Sequence, residues 1–162
     1  MQTVVANNRW FIVLTVVVAL MLSVMPLPQE ISWLRPQFVA MVFIYWSLAL
    51  PQTVGILSAW MTGLSLDVVS FSVFGQHTLA MVIVAYICLL SYQRIRTYQP
   101  WQQAIWIFVM LGIYQLFVNW VHSLTGHSAR PSEFLLPAVA SALLWPIVHV
   151  LLERFRVIYR VS

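Results

Sequence analysis

The sequence predicts an all-α, polytopic membrane protein of about six transmembrane helices, and three observations support this class. Hydrophobic residues make up 62% of the 162-residue chain and charged residues only 7%, whereas a soluble domain carries charge on roughly a quarter of its residues. Six apolar runs are separated by short breaks that contain proline, glycine or arginine. The arginines lie at the ends of these runs, as residues that set membrane topology do.

The composition also limits the class of function. No polar stretch is longer than a loop, so we expect residues 1–162 to form a single integral membrane domain. The formal charge of +4 does not indicate nucleic-acid binding, because no basic run is interleaved with aromatic residues. Cys88 is the one cysteine and lies inside an apolar run, which favours a structural thiol and excludes a disulfide framework.

The predicted helices follow the apolar runs in order. The first run resembles a signal peptide, but no small-x-small cleavage site accompanies Pro26 and Pro28, so we interpret it as a retained helix. The second and third runs are shorter than the ~20 residues that a perpendicular span needs. We interpret both as short spans, with a partly re-entrant third run as the alternative. The six runs cover residues 10–25, 36–50, 55–69, 75–92, 102–122 and 133–152.

The distribution of arginines predicts the orientation of these spans. With six spans and the N-terminus inside, six arginines lie on the cytoplasmic side and two lie outside, in agreement with the positive-inside rule. Both termini are therefore expected in the cytoplasm, since an odd number of spans would separate the two basic ends. The cytoplasmic arginines are Arg9, Arg94, Arg96, Arg154, Arg156 and Arg160, and the outer ones are Arg35 and Arg130.

The third run holds the one aspartate of the chain, Asp67. On a helix, Gly55, Ala59, Gly63 and Asp67 follow one another at four-residue spacing and form one stripe. Small residues let two helix backbones approach closely in a membrane, and a carboxylate among apolar residues must face protein or a wet cavity. We predict that this stripe packs mainly inside the protein and that the other helices are arranged around it.

A second prediction is a polar cluster near the outer leaflet. Asp67 lies about sixteen residues into an outward-running span, roughly 24 Å at 1.5 Å per residue, and Arg35 starts the preceding span at a similar depth. Asn119 and His122 share one helix face with Gln115. The cluster of Arg35, Asp67, Asn119 and His122 is either hydrogen-bonded packing between helices or a small outward-facing pocket. A direct ion pair between Arg35 and Asp67 is a further hypothesis.

The sequence predicts no catalytic residue, no metal site and no cofactor. The histidines are scattered and none stands in an HExxH motif. The chain has no GxSxG nucleophile motif and no glycine-rich phosphate loop, and a single aspartate cannot form an aspartyl pair. We therefore expect a protein that is not an enzyme.

Six short motifs, spread over nearly the whole chain, carry a family resemblance. They are Arg35-Pro36, Tyr45-Trp46, Leu50-Pro51, the run from Gly63 through Asp67 and Ser70 to Gly75 and Leu79, Trp101-Gln102-Gln103-Ala104, and Trp145-Pro146. Their order and spacing resemble the MreD family of bacterial rod-shape-determining membrane proteins. One departure is Phe71, at a position where a small residue often follows the serine in relatives.

The resemblance implies a non-enzymatic scaffold in the bacterial inner membrane. It implies work in lateral wall elongation with MreC, MreB, RodA and the class B penicillin-binding protein that partners RodA. It also implies a fold like the substrate-binding component of energy-coupling-factor vitamin transporters, so a small-molecule-binding transporter subunit is the alternative function. A transporter subunit requires an outward cavity lined by Asn119 and His122, whereas a scaffold requires polar groups that satisfy one another. The basic tail from Arg154 to Arg160 is expected to contact anionic lipid or a cytoplasmic filament.

Overall fold

The computed structural model describes residues 8–126 and 135–161. Within these residues the chain forms six α-helices and one 3₁₀ helix, without a β-strand, so the all-α prediction is confirmed. The α-helices are α1 (Arg9–Val24), α2 (Phe38–Ala49), α3 (Ile56–Val69), α4 (Gln76–Ile95), α5 (Pro100–Leu124) and α6 (Leu136–Ile158), and the 3₁₀ helix (Ser32–Leu34) lies between α1 and α2.

Helix length and composition identify candidate membrane spans. Helices α4, α5 and α6, with 20, 25 and 23 residues, are long and apolar enough to cross a membrane. Helices α1 and α3 are apolar but shorter, and α2 has only 12 residues. Arg130, which the predicted orientation used, and Glu133, with which the sixth apolar run begins, lie outside the described residues.

The ends of two helices extend beyond the apolar runs that predicted them. Helix α4 continues to Ile95 and α6 continues to Ile158, three and six residues past the predicted ends at 92 and 152. These last turns contain charged residues, including Arg94 and Arg156. Hydropathy shows where apolar character ends, but a helix continues wherever its backbone hydrogen bonds can, and a charged turn in water does not break it.

Helix α2 lies at the centre of the bundle. Every residue from Val39 to Leu48 is buried, and the helix contacts α1, α4, α6 and, less extensively, α3. A helix that is apolar all round has no face to turn outward, so it is covered on all sides by other helices. The expectation that the bundle is arranged around the third run is therefore wrong, because α2 holds that place.

Helices α3 and α4 form the most extensive helix pair. A Cβ atom added at Gly63 would lie 2.5 Å from the Cα atom of Thr78 on α4, so the two backbones meet at a distance that only glycine permits. Ala59 is also fully buried. Gly55 differs, because it precedes α3 and a Cβ atom there would have no neighbour within 4 Å. The close approach within the stripe thus lies at Gly63.

Large apolar side chains also cover much of the outer surface. On α1, Val13 and Met21 are 62% and 69% exposed, and on α6 Leu143 and Ile147 are 74% and 65% exposed. A soluble protein rarely exposes so continuous an apolar surface. Such faces are stable when lipid tails surround them, because lipid is as apolar as the side chains themselves.

Candidate functional site

Asp67, at the end of α3, is 1% exposed and accepts five hydrogen bonds. Its Oδ1 atom accepts from the Ser72 hydroxyl at 3.0 Å and from the His77 amide at 2.8 Å. Its Oδ2 atom accepts from the Gly75 amide at 3.0 Å, and from the amide and hydroxyl of Thr78 at 3.3 and 2.7 Å. The carboxylate is therefore bound entirely by the α3–α4 connection and the first turn of α4.

These donors explain why a carboxylate is stable at this buried position. The first amides of a helix have no partner within the helix, and the residue that precedes α4, Gly75, has no side chain to cap them. Asp67 supplies the missing acceptor from the preceding helix, and its negative charge lies at the positive end of the α4 dipole. Gly75 has a φ of 94°, which favours glycine there and lets the chain turn back onto Asp67.

Arg35 is bound elsewhere. Its guanidinium donates to the carbonyl oxygen of Ser23 at 2.5 Å and to that of Met25. These carbonyls lie at the end of α1, where the last carbonyls of a helix lack partners and a cation is favoured. The hypothesis of a direct ion pair between Arg35 and Asp67 is therefore wrong. Counting residues along a span predicts depth, but it does not predict which neighbours surround a side chain at that depth.

A polar cavity of about 400 Å³ opens beside this carboxylate. It lies between the start of α2, the α3–α4 connection and the second half of α5. Three members of the predicted cluster, Arg35, Asn119 and His122, line it together with Gln115, whereas Asp67 is not among the lining residues. The other polar side chains on its wall, which were not predicted to belong to the cluster, are Ser23, Gln37, Ser70, Ser72, Gln76, His77 and Tyr114.

Several of these polar groups bind one another across helices. The Gln37 side-chain amide donates to the Gln115 side-chain oxygen. The backbone amide of Gln37 donates to the Ser141 hydroxyl of α6 at 2.8 Å. The His77 Nδ1 atom and the Tyr114 hydroxyl are 2.7 Å apart, which joins α4 to α5. Part of the cavity wall is therefore hydrogen-bonded packing between helices.

Other polar atoms at this site are buried without a partner. Within residues 8–126 and 135–161, they include the side-chain oxygens of Gln37 and Gln76 and the Nε atom of Arg35. Gln76 is only 1% exposed. A buried polar group without a partner is destabilising, so the cavity combines packing contacts with unfilled hydrogen-bonding capacity. No three His, Cys, Asp or Glu residues in the described ranges are grouped closely enough to hold a metal ion.

Comparison with known proteins decides the family. The chain matches the family described as rod shape-determining protein MreD over residues 5–155. The chain belongs to the MreD family. Rod shape-determining protein MreD of Haemophilus influenzae is 30% identical to it over 149 residues, which cover 91% of this chain and 92% of the relative. No solved structure matches the chain significantly.

MreD membership, together with the long apolar helices, makes this chain a membrane protein with a role in rod-shape determination. More of the cavity could have been located in this sequence from the positions of residues next to those already predicted. Gln76 and His77 follow Gly75 directly, so they start the helix that Asp67 caps. Tyr114 is adjacent to Gln115, and its own polar group needs a partner once it is buried.

Proposed function

We propose that this protein is a non-enzymatic scaffold of the bacterial rod-shape complex. In this proposal it couples MreC and MreB to the peptidoglycan synthase formed by RodA and its class B penicillin-binding partner. It lies in the inner membrane with both termini in the cytoplasm. Membership of the MreD family over nearly the whole chain carries the proposal, and the six-to-two distribution of arginines supports the orientation.

An apolar groove between α1 and α6 supports a scaffold that acts through its lipid-facing surface. The groove encloses about 460 Å³. Residues of α2 form its floor, and its walls include Leu14, Val18 and Leu151. The one hydroxyl among its lining side chains that lies on α1, that of Thr15, already donates a hydrogen bond to the carbonyl oxygen of Ile12 and accepts one from the indole N–H of Trp46. In a membrane, a groove of this kind binds another helix by close packing. We assign it to the single transmembrane helix of MreC.

The groove can be tested by filling it. Val18→Trp and Leu151→Trp place indoles at two half-exposed positions on its walls. We expect the double variant to lose MreC in co-purification from membranes and to fail to restore rod shape. Leu90→Trp is the matched control, because Leu90 is 70% exposed on α4 and lies outside the groove. Unchanged MreC recovery with the double variant would contradict the assignment.

The second candidate function is a ligand-binding subunit of a vitamin-type transporter. The unpartnered groups of Gln37, Gln76 and Arg35 at the polar cavity favour it. A transporter subunit requires a small molecule that remains bound during purification. Mass spectrometry of an extract from the purified protein tests this, and a stoichiometric small molecule with no co-purified wall-synthesis protein would favour this candidate over the scaffold.

A further inference from the structure

A second polar cavity lies at the other end of the bundle and has no part in the proposed scaffold function. It encloses about 300 Å³ between the end of α2, the α4–α5 connection and the second half of α6. Two of the eight arginines, Arg96 and Arg156, line it together with Glu153. Both arginines belong to the set that the sequence predicts to lie on the cytoplasmic side.

The charges in this cavity leave a positive excess. The Glu153 carboxylate accepts a hydrogen bond of 2.5 Å from the Tyr45 hydroxyl and lies 3.6 Å from a guanidinium nitrogen of Arg156. The negative charge of Glu153 therefore compensates the positive charge of one of the two arginines, Arg156. The Arg96 side chain makes no hydrogen bond or ion pair within the described parts of the chain. One guanidinium thus faces the cavity without a counter-ion.

A buried donor in the wall of the same cavity also lacks an acceptor. Trp145 lies on α6 and is 0% exposed, and it lines the cavity. Its indole Nε1–H has no hydrogen-bond partner among residues 8–126 and 135–161. Indole can only donate, so this group requires an acceptor atom that the described part of the chain does not supply. This N–H is buried behind the cavity wall, so the positive excess charge is what favours an anion with several oxygen atoms in the cavity itself.

We propose that this cavity binds a phosphate group, with Arg96 and Arg156 as donors. Arg96 lies on the α4–α5 connection and Arg156 lies on α6, so the two guanidinium groups reach the cavity from different elements of the chain. Arginine binds phosphate through several N–H groups in a fixed fork. Basic pockets between helices on the cytoplasmic side of membrane proteins bind anionic headgroups. The same chemistry fits a phospholipid headgroup and free phosphate.

The test uses the full chain purified in detergent and native mass spectrometry. The probes are phosphatidylglycerol, inorganic phosphate, and a diacylglycerol with the same acyl chains but no phosphate. The Arg96→Gln and Arg156→Gln variants should each weaken phosphatidylglycerol binding roughly fivefold, as expected for about one arginine contact. Arg94→Gln and Arg154→Gln are the matched controls, because they remove the same charge from α4 and α6 outside this cavity.

The outcomes separate the sources of the phosphate and can overturn the proposal. Competition by inorganic phosphate supports a site for phosphate itself, and its absence supports a headgroup site. Equal losses in the control variants, or equal binding of diacylglycerol, would overturn the proposal. If Arg156→Gln does not fold, Arg96→Gln decides alone, since that side chain makes no hydrogen bond within the described residues. The indole N–H resonance of Trp145, assigned with Trp145→Phe, should also shift when phosphatidylglycerol is added.

Discussion

At the scale of single residues, Asp67 shows how a carboxylate is stabilised inside a bundle without a counter-ion among the residues that the structure describes. Its five hydrogen bonds all come from residues 72–78, which lie close to it in sequence. Hydrogen bonds to a charged acceptor are stronger than those between neutral groups. The Asp67 carboxylate therefore stabilises the α3–α4 connection. It does not line the cavity, but it holds in place residues that do, such as Ser72 and His77.

Replacing Asp67 by Asn should destabilise the protein. An amide keeps one acceptor oxygen and turns its NH₂ group towards amides that also donate, so at least two hydrogen bonds are lost. We expect a loss on the order of 3 kcal/mol of unfolding free energy, measured by denaturant unfolding in detergent. Ser65→Ala is the control, because Ser65 is exposed and bonds only within α3. Equal stability of Asp67→Asn and the wild type would refute this role.

Phe71 is a second residue whose conformation has a measurable cost. It has a φ of 50° and is 97% exposed, so its side chain gains no packing in return for a left-handed backbone. The left-handed conformation costs a residue with a Cβ atom roughly 1–2 kcal/mol. Phe71→Gly should raise the unfolding free energy by about 0.5–1 kcal/mol after the greater chain entropy of glycine is subtracted. A lower midpoint of thermal unfolding for this variant than for the wild type would contradict the claim that the backbone is strained at Phe71.

At the scale of helices, the contact between α3 and α4 depends on one missing side chain. Gly63→Ala would place its Cβ atom against the backbone of Thr78, which cannot rotate away as a side chain can. The helices must separate, and we expect a loss of about 1–3 kcal/mol, typical of overpacking. Gly112→Ala is the matched control in α5, where the nearest atom would be 4.0 Å away. The comparison is made by thermal unfolding, and equal midpoints would contradict the close approach.

The helices were predictable from the sequence because apolar runs and their proline and glycine breaks act locally. The central place of α2 was less evident, although its run from residue 36 to 50 contains no charged residue after Arg35. Asp67, a single carboxylate in an apolar run, favoured α3 as the central helix instead. A buried polar residue marks a local need for hydrogen bonds, whereas the centre of a bundle is occupied by the helix with no outward face.

At the scale of the whole molecule, the two ends of the bundle differ in chemistry. One end holds the polar cavity lined by Arg35, Asn119 and His122, and the other holds the cavity lined by Arg96 and Arg156. Residue counting along the spans placed Arg35, Asn119 and His122 at one depth. It could not predict that Gln37 and Tyr114 join them, because such contacts depend on how helices rotate about their own axes.

Between these ends, the outer surface is mostly apolar and offers little chemistry except packing against other helices. The groove between α1 and α6, which encloses about 460 Å³, is one apolar feature of this surface. In the proposed scaffold role, we expect the partners to bind inside the membrane, where close packing replaces the hydrophobic effect as the main stabilising contribution.

The role proposed for this MreD family member is to hold wall-synthesis proteins together. The most direct measurement is the composition of the complex that the full chain retains when it is purified from bacterial membranes in a mild detergent. We expect MreC, RodA and the class B penicillin-binding partner to be recovered with it in fixed ratios. Recovery of the chain alone, carrying a stoichiometric small molecule and none of these proteins, would contradict it.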